Sequence, residues 1–265
     1  MVNIADLTIT SLETITAFDT TGTTLKFVLD ELQSATIAQS QDETEITGKQ
    51  GRRISTLKRN KAITISGTNG LISHGLLEVQ TGVSFAEGAT TVSWTDYLTV
   101  QSNEATTSWK AIGTAGSEIL ECYVKNNDGT IGTELTQAAT TSAGKFAYAP
   151  ATKKLTFTSI ADGSEVVVIY KRNITAQSLK NLSDKFSGKL QLYIDALAED
   201  KCANVFRVQI FVPKADFTGN FSLDMGDNQT VHEFEATALA GACGGSDTLF
   251  TYTVFGVNTA DTPVT

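Results

Sequence analysis

Two histidines are the only imidazole side chains in this sequence that could carry acid–base or metal chemistry. His74 lies in a stretch with helical spacing, and His232 precedes Glu233 in a stretch of alternating apolar and polar residues. Neither belongs to the H-E-x-x-H pattern of a zinc protease or to the G-x-S-x-G turn of a hydrolase nucleophile. We therefore interpret both histidines as structural residues.

Two pairs of carboxylates have the short spacing that a glycoside hydrolase could use. These are Asp224 with Asp227 and Glu233 with Glu235. Acidic residues that alternate along a strand face are usually solvated, and no aromatic residues are arranged around these pairs at a regular spacing. The sequence therefore predicts no catalytic residue and no cofactor, and a carbohydrate-active enzyme is the least favoured class.

Metal and disulfide chemistry is not predicted either. The three cysteines, Cys122, Cys202 and Cys243, are an odd number without C-x-x-C spacing. The Asp-Gly turns lack the alternating carboxylates of a calcium loop. No basic segment followed by an apolar run opens the chain, and no apolar stretch reaches the roughly 20 residues of a membrane-spanning helix. We expect folding in a reducing compartment, without a membrane partner.

The polar stretch from residue 36 to residue 61 has too few apolar residues to bury itself. Its charges fall in an acidic limb followed by a basic limb, namely Asp42, Glu43 and Glu45, then Lys49, Arg52, Arg53, Lys58, Arg59 and Lys61. An isolated two-stranded hairpin is marginal in water. We predict that residues 36–61 form a projecting arm, a long hairpin or loop whose stability comes from another chain. The alternative, a nucleic-acid patch, lacks interleaved aromatic residues.

Alternation of apolar and polar residues predicts strands over most of the remaining chain. The clearest strand covers residues 205–212, in which Phe206, Val208, Ile210 and Val212 share one face and are the predicted core. Pro213 has no amide hydrogen and is predicted to end this strand.

Helical spacing is confined to two short stretches. Ile72, Leu76 and Val79 predict a helix that follows an N-cap within residues 68–70 and ends at Gly82. A weaker pattern predicts a second helix over residues 173–186. With 265 residues and a net charge of −9, the chain is long enough for one large β domain and too acidic to wrap nucleic acid in a basic groove.

Several motifs, in order, resemble those of the tail tube (major tail) proteins of long-tailed bacteriophages. They are Ile46-Thr47-Gly48-Lys49, residues 61–82 with Thr68-Asn69-Gly70-Leu71 and Gly75-Leu76-Leu77, and Phe211-Val212-Pro213-Lys214, Asn220-Phe221-Ser222-Leu223-Asp224-Met225-Gly226 and His232-Glu233-Phe234. Both ends of the chain share this resemblance. Residues 83–170 share only the succession of strands and turns, and we expect them to be a β-rich elaboration within a single domain over residues 1–265.

The resemblance implies a mainly β fold, with packed antiparallel sheets of the β-sandwich or tail tube type, a short flanking helix and a projecting arm. It implies hexameric rings that stack into a tube, with the arm bridging rings and DNA passing through the lumen without specific binding. The implied partners are other tail proteins: the tape measure, a terminator and, in a contractile tail, a sheath. The implied place is the virion tail, after synthesis in the bacterial cytoplasm. The alternative is a β-sandwich surface module, such as a phage decoration protein or an adhesin.

Overall fold

The computed structural model describes residues 6–223, 231–240 and 247–256. These residues form one α-helix, a single 3-10 turn at Lys49–Gly51 and many strands. In chain order the elements are β1 Leu7–Phe18, β2 Leu25–Leu29, β3 Leu32–Thr47, β4 Arg53–Asn69, α1 His74–Thr81, β5 Ala86–Thr99, β6 Glu104–Thr106, β7 Ile119–Lys125, β8 Ile131–Gln137, β9 Lys145–Ala149, β10 Lys154–Thr156, β11 Glu165–Ser178, β12 Lys189–Asp200, β13 Val205–Phe217, β14 His232–Ala238 and β15 Thr251–Gly256.

The chain divides into two compact units. Unit 1 comprises the described residues of Met1–Phe85 and Leu179–Thr265, and unit 2 is Ala86–Ser178. The predicted elaboration, residues 83–170, lies almost entirely within unit 2. The proposal that residues 1–265 act as a single domain stays a prediction.

Unit 1 is built on one antiparallel sheet in the order β2-β1-β12-β13-β14-β4-β3, with β15 paired to the first part of β13. Alternate residues of these strands point to one face and bury a common core together with α1. Its fully buried members include Ile15, Leu29, Ile63, Ile65 and Leu192. The alternation that predicted the strands therefore also identifies the side of the sheet that is buried.

Helix α1 packs closely on β2 because Gly75 has no side chain. A Cβ at residue 75 would lie 2.6 Å from the carbonyl oxygen of Lys26. Leu76 and Val79 are buried, and Gly82 ends the helix in the left-handed conformation with φ 68°, as predicted. The predicted N-cap is wrong: residues 68 and 69 lie in β4, and the side chain of Ser73 accepts the hydrogen bond from the Leu76 amide.

Strand β13 does not stop at Pro213, as predicted, but continues to Phe217. The pairing with β12 skips from Val212 to Ala215, so the proline lies in a bulge where its missing amide hydrogen is not needed. At the same place, the strand on the other side of β13 changes from β15 to β14. A proline inside a strand therefore marks a change of partner here.

The predicted core face of β13 is only partly buried. Val208 and Val212 are buried, and Ile210 is partly buried against the same core residues. Phe206 is half-buried and belongs to none of the buried clusters of the described residues. It is paired with Ala198 and Gly256 near the start of the strand. Its assignment to the core is corrected accordingly.

Unit 2 is a sheet in the order β5-β11-β7-β8-β9-β10-β6, antiparallel except for the β8–β9 pair. Its core includes Val100, Phe146, Leu155, Val166 and Tyr170. The helix predicted over residues 173–186 is wrong. Residues 173–178 extend β11 and pair with residues 86–91 of β5, so a strand partner overrides the weak helical spacing.

The mainly β fold class with antiparallel sheets and one short helix is confirmed. None of the helices among the described residues has the length and apolar character of a membrane span.

Candidate functional site

The predicted arm is a long antiparallel hairpin of β3 and β4. Near the sheet, Ile37 pairs with Ile65 and Gln39 with Ile63. Further out, Asp42 pairs with Arg59, Glu43 with Lys58 and Glu45 with Thr56. From residue 39 to residue 61 nearly every side chain is exposed. The acidic and basic limbs therefore lie side by side as the two strands of one ladder.

A bulge separates the exposed hairpin from the sheet that carries it. The register shifts between the Ser40–Ala62 and Asp42–Arg59 pairs, and Asn60 takes a positive φ of 50° there. Asparagine tolerates this left-handed conformation better than most residues. The Asn60 side-chain amide donates to Asp42 Oδ2 at 2.8 Å across the bulge. The bulge increases local twist and so redirects the hairpin where its burial ends.

Two ion pairs connect the limbs within the same subunit. Arg53 Nη1 lies 3.0 Å from Glu45 Oε1, and Lys58 Nζ lies 3.5 Å from Glu43 Oε1. All four side chains are about half exposed, so each pair contributes only about 0 to 1 kcal/mol. The ion pairs therefore help to set the register of the hairpin but do little to stabilise it.

Four of the six basic residues of the arm take part in neither of these ion pairs. Lys49, Arg52, Arg59 and Lys61 form no ion pair with any carboxylate in the described part of the chain. Each of them is exposed. Apolar side chains accompany them, since Ile46, Ile54 and Leu57 are 48%, 65% and 38% exposed. A basic strand end with exposed aliphatic residues is suited to contact another protein surface.

The sequence model of the YomU/Tube protein family matches residues 7–252. The chain belongs to the YomU/Tube family. A comparison with curated proteins found no match. The family match confirms the sequence resemblance to phage tail tube proteins, and it extends through both units of the chain, including the hairpin of β3 and β4.

In this member of the tube family, His232 is a structural residue of unit 1. The ring is fully buried, and its Nδ1 accepts a hydrogen bond from the Ser73 amide at 3.2 Å. The proton of the neutral ring is therefore on Nε2, which donates to Gln80 Oε1 at 2.8 Å. Gln80 in turn donates to the carbonyl oxygen of Glu233. The network fastens both ends of α1 to β14.

Burial lowers the pKa of His232 below its ordinary value of 6.5. The unfolded chain thus takes up a proton at a higher pH than the folded protein does. We expect the stability contribution of the neutral ring to be complete above pH 6.5 and to be lost as the pH falls below it, by up to about 1.4 kcal/mol per pH unit. Thermal unfolding between about pH 7.5 and pH 5.5 measures this slope.

His232→Gln should flatten that pH dependence, whereas His74→Gln should leave it unchanged. His74 is the matched control because it is exposed, with its ring tilted by 34° against that of Phe85 at 4.6 Å between ring centroids. An equal slope in wild type and His232→Gln would show that His232 is not the group that titrates.

Within the described part of the chain, the other residues considered for catalysis or metal binding do not form a site. Glu233 and Glu235 point to the exposed side of β14, while Asp224 and Asp227 lie outside the described residues. Among the residues that the structure describes, no three His, Cys, Asp or Glu side chains are placed to hold a metal ion. Burial raises the pKa of the Cys122 thiol to about 12, so this cysteine remains protonated.

Proposed function

We propose that this protein is the structural subunit of a phage tail tube, which self-assembles into hexameric rings that stack around a channel for DNA. The observation that carries the proposal is the family match over residues 7–252, which includes both the sheet of unit 1 and its projecting hairpin. The protein acts through assembly in the virion tail and not through catalysis.

The edges of the unit 1 sheet support ring formation. Among the described strands, β3 pairs only with β4, and β2 covers only residues 15–18 of β1. Within the described part of the chain, residues 7–14 of β1 therefore pair on one side only, with β12. Unpaired strand edges invite pairing with another chain, and closure into a barrel removes them. In the proposed ring, the edges of neighbouring subunits pair with each other.

The charge distribution supports stacking through the arm. Six basic and three acidic residues give residues 36–61 a net charge of +3. Since the whole chain has a net charge of −9, the remaining residues carry −12. The four exposed cations that form no ion pair with a described carboxylate would meet an acidic surface on the adjacent ring. Each contact is weak, and repetition around a ring makes the sum effective.

The same acidity fits DNA passage without specific binding. Binding of DNA through counterion release requires clustered Lys and Arg, which an acidic channel wall does not offer. In this proposal the ends of the tube contact other tail proteins: the tape measure, a terminator and, where the tail contracts, a sheath.

Negative-stain electron microscopy of the purified full chain over a range of concentrations tests the proposal. Rings that appear with rising concentration and join into tubes are the expected result, and added salt should shorten the tubes because it screens the arm contacts. A protein that stays monomeric at every concentration would overturn the proposal.

A further inference from the structure

The two tryptophans of the chain lie together in unit 2, on either side of one arginine. The guanidinium carbon of Arg172 is 4.9 Å from the ring centroid of Trp94 and 3.9 Å from that of Trp109. The indoles nevertheless stay 39% and 48% exposed. Large aromatic side chains seldom remain exposed in a group unless they contact a partner.

Hydrogen bonds hold the indole of Trp94 and the backbone of Trp109. Trp94 Nε1 donates to Asp96 Oδ1 at 2.8 Å, and Asp96 Oδ2 accepts from the Ser108 amide and the Tyr170 hydroxyl. The Trp109 amide donates to the same Tyr170 hydroxyl at 3.0 Å. Burial alone would raise the pKa of Asp96, but these donors outweigh it, so the pKa lies below its ordinary value. The Trp94 indole is therefore held in position before any ligand arrives, which lowers the entropy cost of binding.

Arg172 has a charge without a counter-charge. No described carboxylate lies within ion-pair distance of it. Its Nε and Nη1 atoms are buried and have no hydrogen-bond partner among the described residues, while the residue as a whole is only partly buried. A second cation is close, because Lys153 Nζ donates to the Ser108 carbonyl oxygen at 3.1 Å. The site thus combines a positive charge that has no described counter-charge with two partly exposed indole rings.

We propose that Trp94, Trp109 and Arg172 form a binding site for an acidic carbohydrate. The indole faces contact the C–H faces of sugar rings, and the Arg172 guanidinium donates to a sugar carboxylate. Charge-assisted hydrogen bonds from arginine to carboxylates are about twice as strong as neutral ones, which gives the site its preference for acidic over neutral sugars. All three residues of the site belong to unit 2.

Two other classes of ligand fit the site less well. Single-stranded DNA would stack its bases on the indoles, but its backbone needs a continuous basic groove, and unit 2 is net acidic with nine acidic and seven basic residues. An apolar peptide needs a continuous apolar patch, whereas a guanidinium separates the two rings here. The experiment below includes an oligonucleotide, so it distinguishes single-stranded DNA from an acidic carbohydrate.

Tryptophan fluorescence of the full chain provides the test, because every tryptophan in the chain belongs to the proposed site. The probes are a galacturonic acid trimer, the same trimer with its carboxylates methyl-esterified, and a short oligo(dT). We expect a saturable change with the acidic trimer and binding of the ester that is weaker by about tenfold or more. Ring and tube formation is observed in the same samples, so that a failure of the assembly proposal can be distinguished from a failure of this one.

Arg172→Met retains both fluorophores and the aliphatic stem, and it should weaken binding of the acidic trimer by about tenfold or more. Tyr97→Ala is the matched control, since Tyr97 is another exposed aromatic residue of β5 beside a cation, Lys125. It should bind as wild type does. Circular dichroism verifies that both variants are folded. The proposal is overturned by the absence of a saturable change, by equal binding of the ester, by binding of oligo(dT) alone, or by unchanged binding in a folded Arg172→Met variant.

Discussion

Reversing Arg52 and Arg59 to glutamate is expected to stop tube growth while the subunit stays folded. Both side chains are exposed and have no ion-pair partner in the described part of their own subunit. The double reversal changes the arm from +3 to −1, so that it would repel the acidic surface that it is proposed to contact. Repetition of the change in every copy multiplies a small effect per contact.

The matched control is the double change Glu43→Lys with Lys58→Glu. It exchanges the members of an ion pair within the hairpin, where Lys58 Nζ and Glu43 Oε1 are 3.5 Å apart, and it leaves the net charge unchanged. We expect this variant to form tubes, as seen by negative-stain microscopy at low salt. Long tubes from the Arg52→Glu, Arg59→Glu variant would show that the unpaired cations do not connect rings.

Phe234→Ala is expected to give the largest loss of subunit stability, about 3 to 5 kcal/mol. Phe234 is 3% exposed in the core of unit 1 and pairs with Gly67 of β4. Its ring lies over that glycine, since a Cβ at residue 67 would be 2.7 Å from Phe234 Cζ. The truncation therefore opens a cavity at a place where the backbone below has no side chain to fill it.

The same substitution at a less buried residue, Phe206→Ala, serves as the comparison for Phe234→Ala. Phe206 is only half-buried, and we expect a loss of less than about 2 kcal/mol. Both variants should be unfolded by denaturant at concentrations too low for ring formation, because assembly stabilises the folded subunit. Equal losses in the two variants would contradict the burial of Phe234.

Much of unit 1 was predictable because its strands are half-buried. A strand with one face in the core alternates between apolar and polar residues along its sequence. The buried residues Ile63 and Ile65 of β4 and Val208 and Val212 of β13 follow this pattern. The left-handed end of α1 at Gly82 was predictable as well, since its conformation favours glycine. In each case the physical cause acts within a few residues of the chain, where a sequence pattern can record it.

The errors arose where a distant strand decides the structure. The spacing of Ile174, Leu179 and Leu182 suggested a helix, but β5 is available as a partner and extends β11 to Ser178. Pro213 is tolerated because a bulge against β12 removes the need for its amide. The register of the arm depends on bulges near residues 41 and 60, so the Glu43–Lys58 and Glu45–Arg53 ion pairs could not be derived from the order of charges.

The tryptophan–arginine cluster was missed for the same reason. Its members are at residues 94, 109 and 172, and no local pattern connects them. The pairing of Val92 with Arg172 and of Trp94 with Tyr170 brings two of them together, and the loop after β6 supplies the third. A signal was present only in the composition, because both tryptophans occur in one β-rich stretch.

Cryo-electron microscopy of the assemblies formed by the full chain shows directly how the subunits are arranged. We predict stacked rings of six copies, in which the sheets of unit 1 join edge to edge and the hairpin of residues 36–61 contacts the adjacent ring. Assemblies without sixfold rings, or a hairpin that contacts only its own subunit, would contradict this prediction.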